Sequence, residues 1–336
     1  VGSKADGAAA RGFWRLAGRR LVHDRFAMAA TGLLCAILIA CFAGGPVMVE
    51  LLGHGPGSIF PGAVHHTIEP VGFWTRVPNV HYPYLQRHGT TLLVLGADGP
   101  LGRDELLRLL YGGQVTVEVA LIATVAACLV GVPLGAAAGY AGGRLDAVVV
   151  WIVDFVMAFP VLLMAIALGA TVSSHFAGYT LFGLFSAGVL SVALFIGAFS
   201  WTYMARLSRI QVLELRERQF VEAARMTGCG TGRILRRHIV PHLLPVLLPP
   251  ATVMFATAML LQASLSVLGV GIDPNTPSWG GMLATKIGWL TSLAYGGDIS
   301  LSDPLVLYPS IAILVTVIAV AVVGEGLRKA LDPAGR

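Results

Sequence analysis

Charged residues are so sparse that five long uncharged stretches dominate the chain. They run from Phe26 to Val49 (24 residues), Val119 to Gly143 (25), Phe155 to Ala205 (51), His238 to Ile272 (35) and Pro304 to Gly324 (21). A membrane-crossing helix takes about 20 apolar residues, so each stretch is long enough to span a bilayer. The 51-residue stretch exceeds one helix and contains the turn-forming Ser173-Ser174-His175 and Gly178-Tyr179, so it divides in two. The pattern predicts an all-α polytopic membrane protein with six transmembrane helices, over 26–50, 115–139, 147–171, 181–205, 242–268 and 305–327.

Composition strengthens this reading. Of 336 residues, 56% are hydrophobic and 12% charged, with a mean hydropathy of +0.76. Soluble domains carry about 25% charged residues, so an ordinary soluble enzyme is excluded. Of the four cysteines, Cys35, Cys41 and Cys128 lie in apolar spans and Cys229 in a charged loop, which argues against a disulfide framework.

Charge also orients the chain. With the N-terminus in the cytoplasm, the inner segments hold 18 Lys and Arg residues and the outer ones 5, as the positive-inside rule requires. Both termini are then cytoplasmic. The first apolar run is longer than a signal peptide's, so it reads as an uncleaved anchor. The organisation is one membrane domain: an inner segment 1–25, a first span 26–50, an extended outer loop 51–114, a five-helix core 115–327 containing an inner loop 205–241, and a tail 328–336. In the outer loop, Leu106, Leu107, Leu109 and Leu110 line one helical face, which predicts a short helix lying in the membrane interface.

Several chemistries are missing. No glycine precedes any of the three lysines (Lys4, Lys286 and Lys329), so the phosphate-binding G-x-x-x-x-G-K-[ST] loop is absent and ATP hydrolysis is not expected of this chain. No catalytic nucleophile or zinc motif is present, so no catalytic residues are assigned. Glu118 and Asp154 lie in spans without a Lys or Arg in the same uncharged runs. They are candidate intramembrane polar sites, and a proton-coupled secondary transporter would depend on them. His54, His65, His66, His81 and His88 crowd the outer loop, but their spacing is irregular and no metal site is assigned.

The most charged inner segment contains Glu222-Ala223-Ala224-Arg225-Met226-Thr227-Gly228, followed by Pro241. Small Ala223 and Ala224 let another surface approach a helix closely, and Gly228 can adopt the left-handed conformation that ends it. Pro241 suits the first turn of the next span. This segment resembles the EAA loop of ABC importer permeases. Arg233-Ile234, Arg237-His238-Ile239-Val240-Pro241, Gly102-Arg103-Asp104, Pro133-Leu134-Gly135, Ala138-Gly139-Tyr140, Asp154 with Pro160, Leu268-Gly269-Val270-Gly271, Pro277-Ser278-Trp279-Gly280 and Gly324-Glu325-Gly326-Leu327-Arg328 extend the resemblance to the C-type subunit of the dipeptide/oligopeptide importer family. Departures from that pattern are Gln262, His242, Gly230 and Lys329, where the family has Glu, Asn, Ser and Asp.

The resemblance implies a type I ABC importer permease fold in the bacterial cytoplasmic membrane. It implies partners: a second, B-type permease, two ATPase subunits or one used twice, and an extracytoplasmic substrate-binding protein. ATP and Mg would be bound by the ATPases, with no cofactor on this chain and no nucleic acid. Glu222, Ala223, Ala224, Arg225 and Gly228 would couple to the ATPases, and Gly102, Arg103, Asp104, Pro277, Ser278 and Trp279 would meet the binding protein. Di- or oligopeptides are the expected substrate, with nickel chelates or glutathione as alternatives.

Overall fold

The computed structural model describes residues 18–65, 69–81, 85–99, 101–167, 188–273, 275–293 and 306–331. Five helices are long and apolar enough to cross a membrane: α1 (Arg25–Leu52), α2 (Glu105–Ala141), α5 (Val189–Leu215), α7 (Thr231–Val267) and α9 (Leu307–Leu331). A broken pair, α3 (Gly143–Met157) and α4 (Val161–Ala167), bent by 71°, passes the same test together, for up to six crossings. The break falls at Pro160, which lacks an amide to donate and disfavours the helical conformation of Phe159. The expected helix over 147–171 is thus two pieces. Its end and the expected start of the next span, 168–187, lie outside the described residues. Two shorter helices are α6 (Gln219–Met226) and α8 (Trp279–Leu293).

Helix α2 begins ten residues before the expected boundary. The Leu106–Leu110 face, expected as a separate interfacial helix, forms the opening turns of α2 instead. Asp104 caps that start by accepting from Leu107 N at 3.2 Å. At 1.5 Å per residue α2 is roughly 55 Å long, far more than the ~30 Å hydrocarbon core, so one end must project beyond it.

Prolines shape two other spans. Each of two π turns, Ala40–Gly44 in α1 and Leu235–Ile239 in α7, precedes a proline, Pro46 and Pro241 respectively. Widening the turn accommodates the missing amide and relieves the clash with the preceding carbonyl. Pro241 thus stands in the first turn of the α-helical segment Val240–Val267, which follows the π turn within α7.

Helix α2 packs closely on α5, and small residues make it possible. A Cβ on Gly131 would run into Trp201 O, one on Gly135 into Ala205 O, and one on Gly139 would lie 2.7 Å from Arg209 O. The central core joins α1, α2, α5, α7, α8 and α9 through Cys41, Val119, Ile196, Met259, Trp279 and Ile313.

Between α1 and α2 the chain folds into a small β module of three antiparallel pairs. They are β1 (Val64–His65) with β2 (Glu69–Pro70), β3 (Thr75–His81) with β4 (Leu85–Leu93), and β5 (Ala97–Asp98) with β6 (Arg103–Asp104). Phe60, Ala63, Val71, Val77, Leu93 and Ala97 form its own core. The β3–β4 register shifts between Pro78 and Val80, where a proline cannot donate to the ladder.

Candidate functional site

Two polar constructions lie at opposite ends of α2. At its C-terminal end, α6 packs beneath α2, α5 and α7. Its apolar side is held by Val221 and Ala224, which share a buried cluster with Ala136, Val212, Ile234 and Leu243. The helix ends in a Schellman closure: Gly228 N donates to Arg225 O at 2.9 Å and Cys229 N to Ala224 O at 3.1 Å, with Gly228 at φ +75°. The opposite side presents Glu222, Ala223, Arg225 and Met226, all exposed. Of the two alanines expected to admit another surface, only Ala223 is available, because Ala224 is inside.

Two contacts fix α6 to the spans. Arg225 Nε donates to Tyr140 Oη at 3.2 Å and its guanidinium lies 5.1 Å from that ring's centre. Phe220 stacks on His242, with ring centroids 4.9 Å apart. One contact reaches α2, the other α7. Tyr140, Arg216, Glu217, Glu222 and Arg225 line a polar cavity of about 440 Å³ beside it.

At the other end of α2 lies a buried ionic network that sequence reasoning missed. Asp98, Arg103, Asp104, Glu105, Arg108 and Lys286 are all 7% exposed or less. Lys286 Nζ, from α8, lies 2.6 Å from Glu105 Oε1 and 3.7 Å from Asp98 Oδ1, while Arg108 pairs with Asp98. His54 Nε2 donates to Asp104 Oδ2 at 2.9 Å. Burial, and then the neighbouring Arg108, lower the proton affinity of Arg103, with Asp98 opposing them. The three acids and three bases come from the β module, α2 and α8, so their pairing ties these pieces together. The only signal in the sequence was the isolation of Lys286 in a lysine-poor chain.

The network and its neighbours bury most of the residues expected to meet a binding protein. Gly102, at φ +64°, approaches Phe60 O so closely that a Cβ would collide with it. Trp279 is 2% exposed and donates from Nε1 to Leu109 O at 2.8 Å, and Ser278 Oγ accepts from Gly281 N at 3.0 Å. Pro277 alone is partly exposed. Gly102, Arg103, Asp104, Ser278 and Trp279 are thus buried within this chain. Among the described residues of the β module, Phe73 and Trp74 form an exposed aromatic pair.

Both intramembrane acids have partners. Glu118 Oε1 accepts from Gln114 Nε2 at 2.9 Å on the same helix face. Asp154 Oδ1 accepts from Arg206 Nη2 at 2.5 Å, and Asp146 takes both Nε and Nη2 of Arg209, at 2.5 and 2.6 Å. The expectation that no cation accompanies Asp154 fails because Arg206, one residue past the uncharged run, is carried to it by the α3–α5 packing. Among the loop histidines, His66 lies outside the described residues. No group of three metal-ligating side chains is found among the described residues.

The match to known proteins decides the class. Residues 131–336 match the family described as "Binding-protein-dependent transport system inner membrane component". The chain belongs to this family. It is a membrane-embedded permease subunit of an ABC importer, with the type I permease fold of that family. A protein of Brucella ovis named as a peptide permease is 34% identical over 240 residues, covering 71% of this chain and 72% of its own. The dipeptide transport system permease protein DppC of Alkalihalophilus pseudofirmus is 34% identical over 232 residues, 69% of each chain. A chain of the MetNI methionine ABC transporter, solved in inward-facing conformations, is similar at 17% identity and a TM-score of 0.49, over 67% of this chain and 96% of its own.

Proposed function

We propose that this permease forms half of a translocation pathway for di- or oligopeptides, and that ATPase subunits drive it by gripping α6. The carrying observation is the two-sidedness of that helix. Val221 and Ala224 hold it in the permease, while Glu222, Ala223, Arg225 and Met226 stand exposed on a surface that the described residues leave open. Arg225–Tyr140 and Phe220–His242 would convert a push on α6 into movement of α2 and α7. ATP and Mg belong to the ATPase partners.

The other half of the pathway is a second, B-type permease, and an extracytoplasmic binding protein delivers the substrate. Phe73 and Trp74 fit that docking role better than the buried Trp279. The charge asymmetry supports a cytoplasmic position for α6 and both termini in a bacterial cell. Peptide as substrate is supported by the names of the relatives; nickel chelates and glutathione are the competing cargoes. Family membership argues against a proton-coupled carrier.

The test is to tag the chain in its host, purify it in mild detergent and identify the co-purifying proteins. A second permease and one or two P-loop ATPases are expected. Recovery of the chain alone, with uptake surviving ATP depletion, would overturn the reading. Uptake by the recovered complex of labelled dipeptide, nickel chelate and glutathione, compared side by side, then decides the cargo.

A further inference from the structure

Arg233, Arg236 and Arg237 line a cavity of about 560 Å³ at the base of α7, together with Gly232 and Pro241. All three arginines are exposed, and none has a carboxylate within 4 Å among the described residues. Three unpaired guanidinium groups around one cavity make a site for an anion, and the planar fork of arginine suits phosphate oxygens.

Depth identifies which anion. The uncharged run of α7 starts at His238, directly after Arg237, so the cavity lies where a helix leaves the hydrocarbon for the headgroup layer. Beyond it, the same helix shows exposed Leu244 and then half-buried Leu248, roughly 10 Å from Pro241 at 1.5 Å per residue. Leu248 opens into an apolar groove of about 820 Å³ that also includes Leu34, Leu38, Phe255, Val320 and Val323. Its two hydroxyls, Thr124 and Thr252, are already bonded to carbonyls of their own helices. Phosphate-binding groups followed by an apolar track along one helix are the order in which a phospholipid presents its headgroup and chain.

We infer that this cavity is a binding site for the phosphate of an anionic phospholipid, with an acyl chain lying along α7 toward the groove. A bound lipid would brace the base of α7 next to the Phe220–His242 contact with α6. The inference requires that α7 crosses a membrane and is independent of the peptide cargo.

The test uses the complex purified with its partner subunits, placed in nanodiscs of phosphatidylcholine. Spin-labelled phosphatidylglycerol or spin-labelled phosphatidylcholine serves as the probe. The wild type should immobilise the anionic lipid selectively, and each of Arg233→Gln, Arg236→Gln and Arg237→Gln should lower that selectivity about fivefold. Arg144→Gln, an exposed arginine at another helix end, should leave it unchanged. Arg236→Lys and Arg237→Lys should also lower it, because charge is kept and the fork is lost.

Equal selectivity in the wild type and the Gln variants would overturn the site. Unchanged selectivity in the Lys variants would reduce it to diffuse surface potential. Displacement of the label by excess inorganic phosphate would make the ligand a free anion. Gln variants that keep lipid selectivity but lose the co-purifying ATPase would assign the cavity to the protein partner.

Discussion

Lys286 on α8 lies with its Nζ 2.6 Å from Glu105 Oε1 at the head of α2, and neither side chain is more than 6% exposed. A buried pair of this kind gives little net stability against an apolar substitute, but removing one member leaves the other charge stranded. Lys286→Met should therefore destabilise the permease by about 3–5 kcal/mol, read as a lower midpoint of unfolding in detergent. The double variant Lys286→Met/Glu105→Gln should recover at least half of that loss. A single variant as stable as the wild type would mean that the network does not hold the β module and α8 onto α2.

The α2–α5 contact gives a second prediction. Gly135 faces Ala205 O and Ser208 Oγ with no room for a Cβ. The obstacle at Ala205 is backbone, so it cannot rotate away, and the helices must separate. Gly135→Leu should lower the amount of folded permease and of assembled complex severely, beyond the 1–3 kcal/mol of ordinary overpacking. Gly143→Ala is the comparison: nothing lies near a Cβ there, so the strain of its φ of +59° is the only cost. Similar yields for both variants would contradict the close approach.

Asp154 and Arg206 supply a third. Each single substitution to alanine strands a charge within a membrane span, whereas exchanging them as Asp154→Arg/Arg206→Asp restores the pair. A double-mutant cycle on unfolding should give a coupling of about 1 kcal/mol. Asp154→Asn should leave ATP-dependent uptake insensitive to collapse of the proton gradient. Uptake that fails when the gradient collapses in the wild type, and is lost in Asp154→Asn, would restore a proton-coupling role for this carboxylate.

These sites differ in how far the sequence reveals them, for physical reasons. Spans are written locally: the 24-residue run from Phe26 predicts a helix over 26–50, and α1 occupies Arg25–Leu52. The end of α6 at Gly228 is local too, because a left-handed residue after a short amphipathic stretch defines it. The ionic network is not. Asp98 and Lys286 are 188 positions apart in sequence, and their contact exists only once α8 returns to the head of α2. Trp279 shows the same limit. An aromatic residue near the end of an apolar stretch reads as an interface anchor, but the small Gly112 and Gly113 on α2 open a slot that buries it. Asp154 was visible as an acid and Arg206 as a base, but their pairing depends on the packing of α3 against α5.

The two alanines of α6 separate coupling from folding most directly. Ala223 is exposed and Ala224 is 8% exposed, against the cluster of Val212, Val221, Ile234 and Leu243. Leucine is a good helix former, so neither replacement should disturb the helix itself. Ala224→Leu overpacks the cluster and should cost about 1–3 kcal/mol of permease stability. Ala223→Leu adds its bulk outside, where the ATPase is proposed to sit, and should leave the unfolding midpoint unchanged. Uptake should nevertheless fall at least tenfold, with ATP hydrolysis either lost or no longer stimulated by substrate. Gly228→Val gives the remaining control. Its Cβ meets nothing, but φ of +75° costs a β-branched residue about 1–2 kcal/mol and undoes the closure at Cys229. If Ala223→Leu transported normally in a fully assembled complex, α6 would be a structural connector and the driving contact would lie elsewhere on the permease.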